Sequence, residues 1–139
     1  MPGVAVKSNP TALVFEDWFI AEERPMGTLN EKQWEFARLV PRLIDKAYEL
    51  GFQVSLGDAF RNPKVFGSIG ERKGYGHPKS AHKQRLAIDL NLFKDGRYLS
   101  TTEDHTPLGE WWEQQHPLAR WGGRFGDGNH YSFEVNGVK

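Results

Sequence analysis

Residues 80–93 read SAHKQRLAIDLNLF, and the second half of this stretch predicts a strand at the centre of the fold. Alternate residues of a strand face opposite sides, so leucine and isoleucine fill one face while Ala87, Asp89 and Asn91 fill the other. An ionised carboxylate is costly in a protein interior unless it is paired, hydrogen-bonded or bound to a metal. The fold must therefore supply a partner for Asp89.

Helix and strand signals precede this central strand. Residues 28–50 carry apolar side chains at helical spacing, with capping boxes available at Thr28 or Asn30. Pro41 inside this segment lacks an amide proton and should kink the helix or divide it in two. Residues 52–60 alternate apolar and polar side chains, which predicts a strand with one buried face.

The rest of the chain adds a loop, a helix and a last strand. Glycine and proline are frequent in residues 61–79, which predicts a long ordered loop of the kind that is often functional. Residues 106–115 predict a short helix with Thr106 as its N-cap, and residues 129–135 alternate as a strand. We therefore predict an α+β fold, a small single domain whose central antiparallel sheet is flanked by helices and carries its site in a cleft.

The length and composition favour one catalytic or binding module. We expect residues 28–139 to form one domain with its own core, and residues 1–27 to be an amino-terminal arm of unknown role. Eighteen basic and eighteen acidic residues cancel, which argues against nucleic-acid or anionic membrane partners. The apolar residues 12–20 are too short to cross a bilayer. The chain contains no cysteine, so a metal would be held by His, Asp or Glu.

A second chemical signal is FGDGNHYSFE, residues 125–134, in which Asp127 comes three residues before His130. If His82 lies on a bend before the central strand, then His82, Asp89 and His130 offer two nitrogens and one oxygen. A catalytic zinc ion takes three protein ligands and keeps its fourth position open for water. Asp127 would then be free to take a proton from that water, which indicates metal-assisted amide hydrolysis.

The stretch SAHKQRLAID resembles the Ser-x-His-(x)6-Asp signature of the LAS zinc metallopeptidases. That family includes D-alanyl-D-alanine carboxypeptidases, D-Ala-D-Ala dipeptidases and phage L-alanyl-D-glutamate endolysins. Its acidic-x-x-His element recurs near the carboxyl end of the chain as DGNH. The resemblance extends over residues 28–137.

The resemblance implies one zinc ion, a general base and two substrate contacts. Two residues depart from the family pattern. Arg85 stands where many members have glycine, and the implied base is Asp127, where the family often has Glu. The implied site consists of His82, Asp89 and His130 as zinc ligands, Asp127 as general base, Ser80 as a residue lining the substrate site, and Arg61 as a contact for substrate or for the developing oxyanion.

The function implied by the resemblance is zinc-dependent hydrolysis of the stem peptides of bacterial peptidoglycan. We expect cleavage between L-Ala and D-Glu, because a small monomeric domain without a visible signal peptide fits a phage endolysin. Such an enzyme is made in the cytoplasm and reaches the wall through a holin or as part of a virion. The alternatives are a D-alanyl-D-alanine carboxypeptidase with the same ligands and a non-catalytic zinc-containing module that binds the cell wall.

Several of these residues also have simpler interpretations. Asp89 could form an ion pair with Arg85 or Lys94. Arg61 could be a solvent-facing guanidinium at a strand end, and Ser80 could only cap a local turn.

The other histidines and the aromatic residues each admit more than one interpretation. His77 fits a loop residue, a substitute ligand or a substrate contact. His105 and His116 flank a predicted helix and fit either cap and dipole partners or metal ligands. The aromatic residues fit either the core or a stacking platform for sugars or peptides; they are Trp111, Trp112, Trp121 and Phe125.

Overall fold

A computed structural model describes residues 27–139, so the predicted amino-terminal arm lies outside the described residues except for Gly27. The first element is helix α1, Leu29–Glu49. Its capping box is the one at Thr28, where the hydroxyl accepts from the amide of Glu31 and the Glu31 carboxylate accepts from the Thr28 amide. The helix continues through Pro41, so the proposed division into two helices is wrong.

Five strands form one antiparallel sheet, which confirms the predicted α+β class. The strands are β1 Gln53–Leu56, β2 Ala87–Lys94, β3 Arg97–Tyr98, β4 Ala119–Trp121 and β5 His130–Phe133. Along the sheet the order is β1, β2, β5, β4, and β3 pairs with the end of β2. The sequence patterns predicted three of these strands and missed β3 and β4.

Two short helices complete the regular structure. Helix α2, Pro63–Phe66, lies inside the segment predicted as a loop. Helix α3, Thr106–Glu113, matches the predicted helix, but the N-cap position belongs to His105, whose side chain makes no capping bond. The prediction of Thr106 as the cap was therefore wrong by one residue. A 3₁₀ turn precedes α3 and extends the helical path by one turn.

The core lies between α1, α3 and the sheet. Leucine and isoleucine of β2 are buried as predicted, and they meet Phe36, Leu39 and Leu43 from the apolar face of α1. Trp112 and Trp121 belong to this core, which confirms the simpler interpretation for both of them. No helix within the described residues is long and apolar enough to cross a bilayer.

Candidate metal centre

The pairing of β2 with β5 brings two of the candidate ligands together. Asp89 and His130 are direct partners across this antiparallel pair, and opposite residues of such a pair place their side chains on the same face. Forty residues of chain separate the two positions, so only the strand register makes them neighbours.

The third candidate, His82, reaches the same place from a 3₁₀ turn, Ala81–Gln84, which confirms the predicted bend before the strand. Ser80 caps this turn by accepting a hydrogen bond from the His82 amide at 3.2 Å. The turn ends at Arg85, whose φ of 59° lies in the left-handed region. Glycine adopts that region without strain, so a glycine at this position would keep the same turn.

The three candidate ligands offer donor atoms at nearly equal separations. His82 Nε2 lies 3.2 Å from Asp89 Oδ1 and 3.2 Å from His130 Nδ1, and the last two atoms are 3.4 Å apart. Tetrahedral coordination with bonds of roughly 2.0–2.1 Å requires ligand atoms about 3.3 Å apart. The three atoms therefore have the spacing of one face of a tetrahedron around a metal ion.

The hydrogen bonds of the site leave His82 Nε2 and Asp89 Oδ1 free to bind a metal ion. His82 Nδ1 lies 2.8 Å from the carbonyl oxygen of Ala59, so its proton sits on Nδ1 and the lone pair of Nε2 faces the cluster. Asp89 Oδ1 is buried and has no hydrogen-bond partner within residues 27–139. A buried carboxylate oxygen that lacks a hydrogen bond and lies 3.2 and 3.4 Å from two imidazole nitrogens fits a cation. The group His82, Asp89 and His130 is thus able to bind a metal ion.

The electrostatics of the site keep Asp89 ionised. Burial alone would raise the pKa of this carboxyl, but the imidazoles of His130 and His82 outweigh that effect and lower the pKa to about 2. The contacts of Asp89 are with these two rings and not with Arg85 or Lys94, so the ion-pair interpretation with either residue is wrong. An anionic oxygen is the form in which a carboxylate binds metal.

Asp127 lies beside the three candidate ligands, on their solvent-exposed side. Its Oδ2 lies 4.0 Å from His130 Nδ1, and its side chain is 54% exposed. The segment that carries Asp127 makes a tight turn. Gly122 lies so close to the Asp127 carbonyl oxygen and to the Cβ of His130 that a Cβ on Gly122 would overlap both. The geometry therefore places a solvent-accessible carboxylate beside the donor atoms.

Arg61 and Ser80 form one wall of the site. Arg61 Nη1 donates to Ser80 Oγ at 3.1 Å, and Arg61 Nε lies 3.4 Å from Asp58 Oδ2. The guanidinium also lies over the ring of Tyr75 at 5.0 Å. Arg61 is only 9% exposed, so the interpretation as a solvent-facing residue is wrong. Ser80 caps the turn and also accepts from Arg61, so capping is not its only interaction.

A cleft of about 390 Å³ opens onto these groups. Its lining includes Arg61, Ser80, His82, Asp127 and His130, which gathers five of the six candidate residues. The exposed ring of Phe125 also lines it. The volume lies within the roughly 300–1,000 Å³ that is typical of ligand sites.

The cleft also includes His77, one of the open alternatives from the sequence. His77 Nδ1 accepts a hydrogen bond from the Lys79 amide at 2.9 Å, so the neutral ring carries its proton on Nε2. His77 is not part of the group formed by the three candidate metal ligands, so the interpretation as a substitute ligand is not supported. Its place in the lining is compatible with a substrate contact.

Sequence patterns missed three groups that shape the site. Ala59 acts through its backbone carbonyl, for which no side-chain signal exists. Asp58 and Tyr75 surround Arg61, and the Tyr75 hydroxyl donates to Asp58 Oδ2 at 2.6 Å. Asp58 at the end of a predicted strand was a usable signal, because polar residues at strand ends often face a site.

Comparison with protein-family models gives no match, and comparison with curated proteins gives no significant match.

Proposed function

We propose that this protein is a zinc-dependent peptidase that hydrolyses the stem peptides of bacterial peptidoglycan, between L-Ala and D-Glu, in the manner of a phage endolysin. The observation that carries the proposal is the joint placement of three convergent donor atoms and one exposed carboxylate at a single cleft. A site that only stabilised the fold would need neither the cleft nor the carboxylate.

The donor set favours zinc over the other common divalent ions. Two imidazole nitrogens and one carboxylate oxygen are typical of catalytic zinc, whereas calcium and magnesium prefer oxygen ligands alone. Three protein ligands also match a site that keeps one position open. Zinc bound in this way supplies a Lewis acid for the scissile carbonyl and makes water acidic near neutral pH.

In the proposed reaction Asp127 carries the proton. Its Oδ2 takes a proton from the attacking water, whose oxygen forms the new bond to the carbonyl carbon of the scissile amide. When the carbon–nitrogen bond breaks, Oδ2 returns this proton to the leaving nitrogen. The second proton of the water then passes from the new carboxyl group to the amine, so the products are a carboxylate and an ammonium group. The exposure of Asp127 allows it to serve both steps.

The Arg61 side of the cleft binds the substrate in this proposal. Arg61 is held by Ser80 and Asp58, so its guanidinium is fixed before substrate arrives. A fixed cation stabilises negative charge on the reacting oxygen more effectively than a mobile one. The choice of peptidoglycan as substrate is supported by the resemblance of SAHKQRLAID and DGNH to the LAS motifs.

The test is digestion of purified peptidoglycan and of defined muropeptides by the zinc-loaded protein, with the product masses measured. We expect new L-Ala carboxyl and D-Glu amino termini, and we expect a chelator to abolish their formation. Release of a terminal D-Ala alone would replace the endopeptidase by a carboxypeptidase. A protein that binds zinc and the cell wall without any mass change would be a binding module, and the proposal would fail.

A further inference from the structure

We propose that Trp121 is a positioning residue that holds Asp127 beside the three candidate metal ligands. The inference rests on the proposed function, in which Asp127 is the general base. Its physical basis is a buried hydrogen bond of 2.7 Å from the Trp121 indole N–H to the carbonyl oxygen of Gly128, the residue that directly follows Asp127.

The position of Asp127 depends on its backbone. Its carboxylate is solvent-exposed and approaches His130 Nδ1 only to 4.0 Å. The backbone, in contrast, is held on both sides. The Asp127 amide donates to Gly122 at 2.8 Å, and the Asp127 carbonyl accepts from the His130 amide at 3.1 Å. The bond from Trp121 to Gly128 adds a side-chain anchor directly after Asp127.

The anchor itself is rigid. Trp121 ends β4 and is 4% exposed. Its ring lies so close to the backbones of Gly109 and Gly123 that a Cβ on either glycine would overlap it. The Trp121 amide also donates to Glu113 Oε2 at 3.2 Å. Because close packing fixes the Trp121 ring, its hydrogen bond also fixes the position of the Gly128 carbonyl.

The glycines on either side of Asp127 make this anchor important. Gly126 has a φ of 82°, and neither Gly126 nor Gly128 has a side chain that could hold the turn. A Cβ on Gly128 would come within 2.6 Å of the Cα of Thr102, so the turn needs glycine for close approach. Glycine makes the backbone on both sides of Asp127 conformationally permissive, and the Trp121 bond adds to the backbone bonds that restrict it.

Trp112 offers a matched control. It is buried like Trp121, and its indole N–H also donates to backbone carbonyl oxygens, those of Arg120 at 3.1 Å and Ser132 at 3.2 Å. Neither acceptor lies in the turn that carries Asp127. Replacement of either tryptophan by phenylalanine removes an indole N–H and some packing volume, but only Trp121→Phe releases the turn.

The experiment compares Trp121→Phe with Trp112→Phe in the zinc-loaded protein. We expect Trp121→Phe to lower kcat about tenfold or more, since a general base supplies about 10²–10⁴-fold and acts only at the correct distance. We expect KM and zinc affinity to change less than about twofold, because ligands and Arg61 stay in place. Hydrogen exchange at the Asp127 amide should accelerate about tenfold or more. Trp112→Phe should leave all four quantities within about twofold.

Equal losses of kcat in the two variants, or unchanged exchange at the Asp127 amide in Trp121→Phe, would overturn the inference. If Trp121→Phe does not fold, β-(3-benzothienyl)alanine at position 121 keeps the ring shape and removes only the N–H donor, and the same outcomes apply. If the parent protein hydrolyses no peptidoglycan fragment, the proposed function fails while the exchange measurement still decides the role of Trp121.

Discussion

Four histidines are buried in the described domain, and they form two contrasting groups. His105 and His116 satisfy their rings inside the core. His105 Nδ1 lies 2.8 Å from the Tyr131 hydroxyl, and His116 stacks on Phe133 at 4.4 Å while its Nδ1 accepts from the Leu118 amide. Each of these histidines has its partners without any ion.

His82 and His130 differ in what they face. Their rings converge with the donor atoms 3.2 Å apart, and both approach the buried Asp89 oxygen that has no hydrogen-bond partner in residues 27–139. His130 Nε2 also lacks a partner there. Burial alone therefore does not distinguish the two groups of histidines. Convergence of ring nitrogens on one buried carboxylate oxygen, with unsatisfied polar atoms around it, distinguishes the candidate metal ligands.

The sharpest test of this contrast replaces the carboxylate beside the convergent pair. We expect Asp127→Asn to lower kcat by about 10²–10⁴-fold, because the amide cannot accept the proton from water. Zinc affinity should change only a few-fold, since Asp127 is not a ligand. Steady-state kinetics on a defined muropeptide measures the effect, and His116→Gln serves as the control that retains activity. Equal activity of Asp127→Asn and the parent would remove Asp127 from the mechanism.

Zinc binding itself should separate the two groups of histidines. We expect Asp89→Ala to weaken zinc binding by more than about 100-fold, which exceeds the loss typical of residues that only support ligands. His105→Gln should bind one zinc ion with nearly the parent affinity. Isothermal titration measures both. If the Asp89→Ala protein bound zinc with the parent affinity, Asp89 would not be a zinc ligand.

The satisfied group predicts a pH dependence of stability. Burial lowers the pKa of His105 from 6.5 to about 4, partly offset by Asp104. The unfolded chain therefore binds a proton between these values that the folded chain does not, so the free energy of unfolding falls as the pH decreases from 6.5 to 4. His105 should contribute about 2 to 3 kcal/mol to this fall. Urea titrations should show a flatter dependence for His105→Gln, and parallel curves for parent and variant would contradict the assignment.

The smallest expected effect concerns the turn that presents His82. Arg85 holds a left-handed backbone conformation while its guanidinium lies 3.9 Å above the Phe60 ring. Arg85→Gly loses the cation–π contact but relieves the backbone strain, so stability should stay within about 0.5 kcal/mol. Arg85→Ala loses the contact and keeps the strain, and should destabilise by about 0.5–1 kcal/mol. Equal destabilisation in both variants would show that the backbone conformation costs nothing.

Local patterns were sufficient to predict the elements that carry the ligands. The buried face of β2 follows from residues near in sequence, and the structure confirms it. The sequence left the capping box open between Thr28 and Asn30, and the structure shows the one at Thr28. The bend that carries His82 was required only if His82 and Asp89 converge, and the structure shows it. The LAS-like motifs also predicted the ligand set, and the structure brings His82, Asp89 and His130 together.

Long-range pairing accounts for what the sequence did not predict. Strand β4 has three residues, and its pairing with β5 rather than a strong local pattern defines it. The register that places Asp89 beside His130 is likewise a property of two distant strands. The Ala59 carbonyl that orients His82 has no side-chain signal at all. These features depend on tertiary contacts, which no local pattern reports.

The most direct test of the metal centre is a crystal structure of the zinc-loaded protein with anomalous diffraction at the zinc edge. We predict one ion at about 2.0–2.2 Å from His82 Nε2, Asp89 Oδ1 and His130 Nδ1, with a solvent molecule completing the coordination on the Asp127 side. An ion bound elsewhere, coordination through His130 Nε2, or a fourth protein ligand that closes the site would contradict the account.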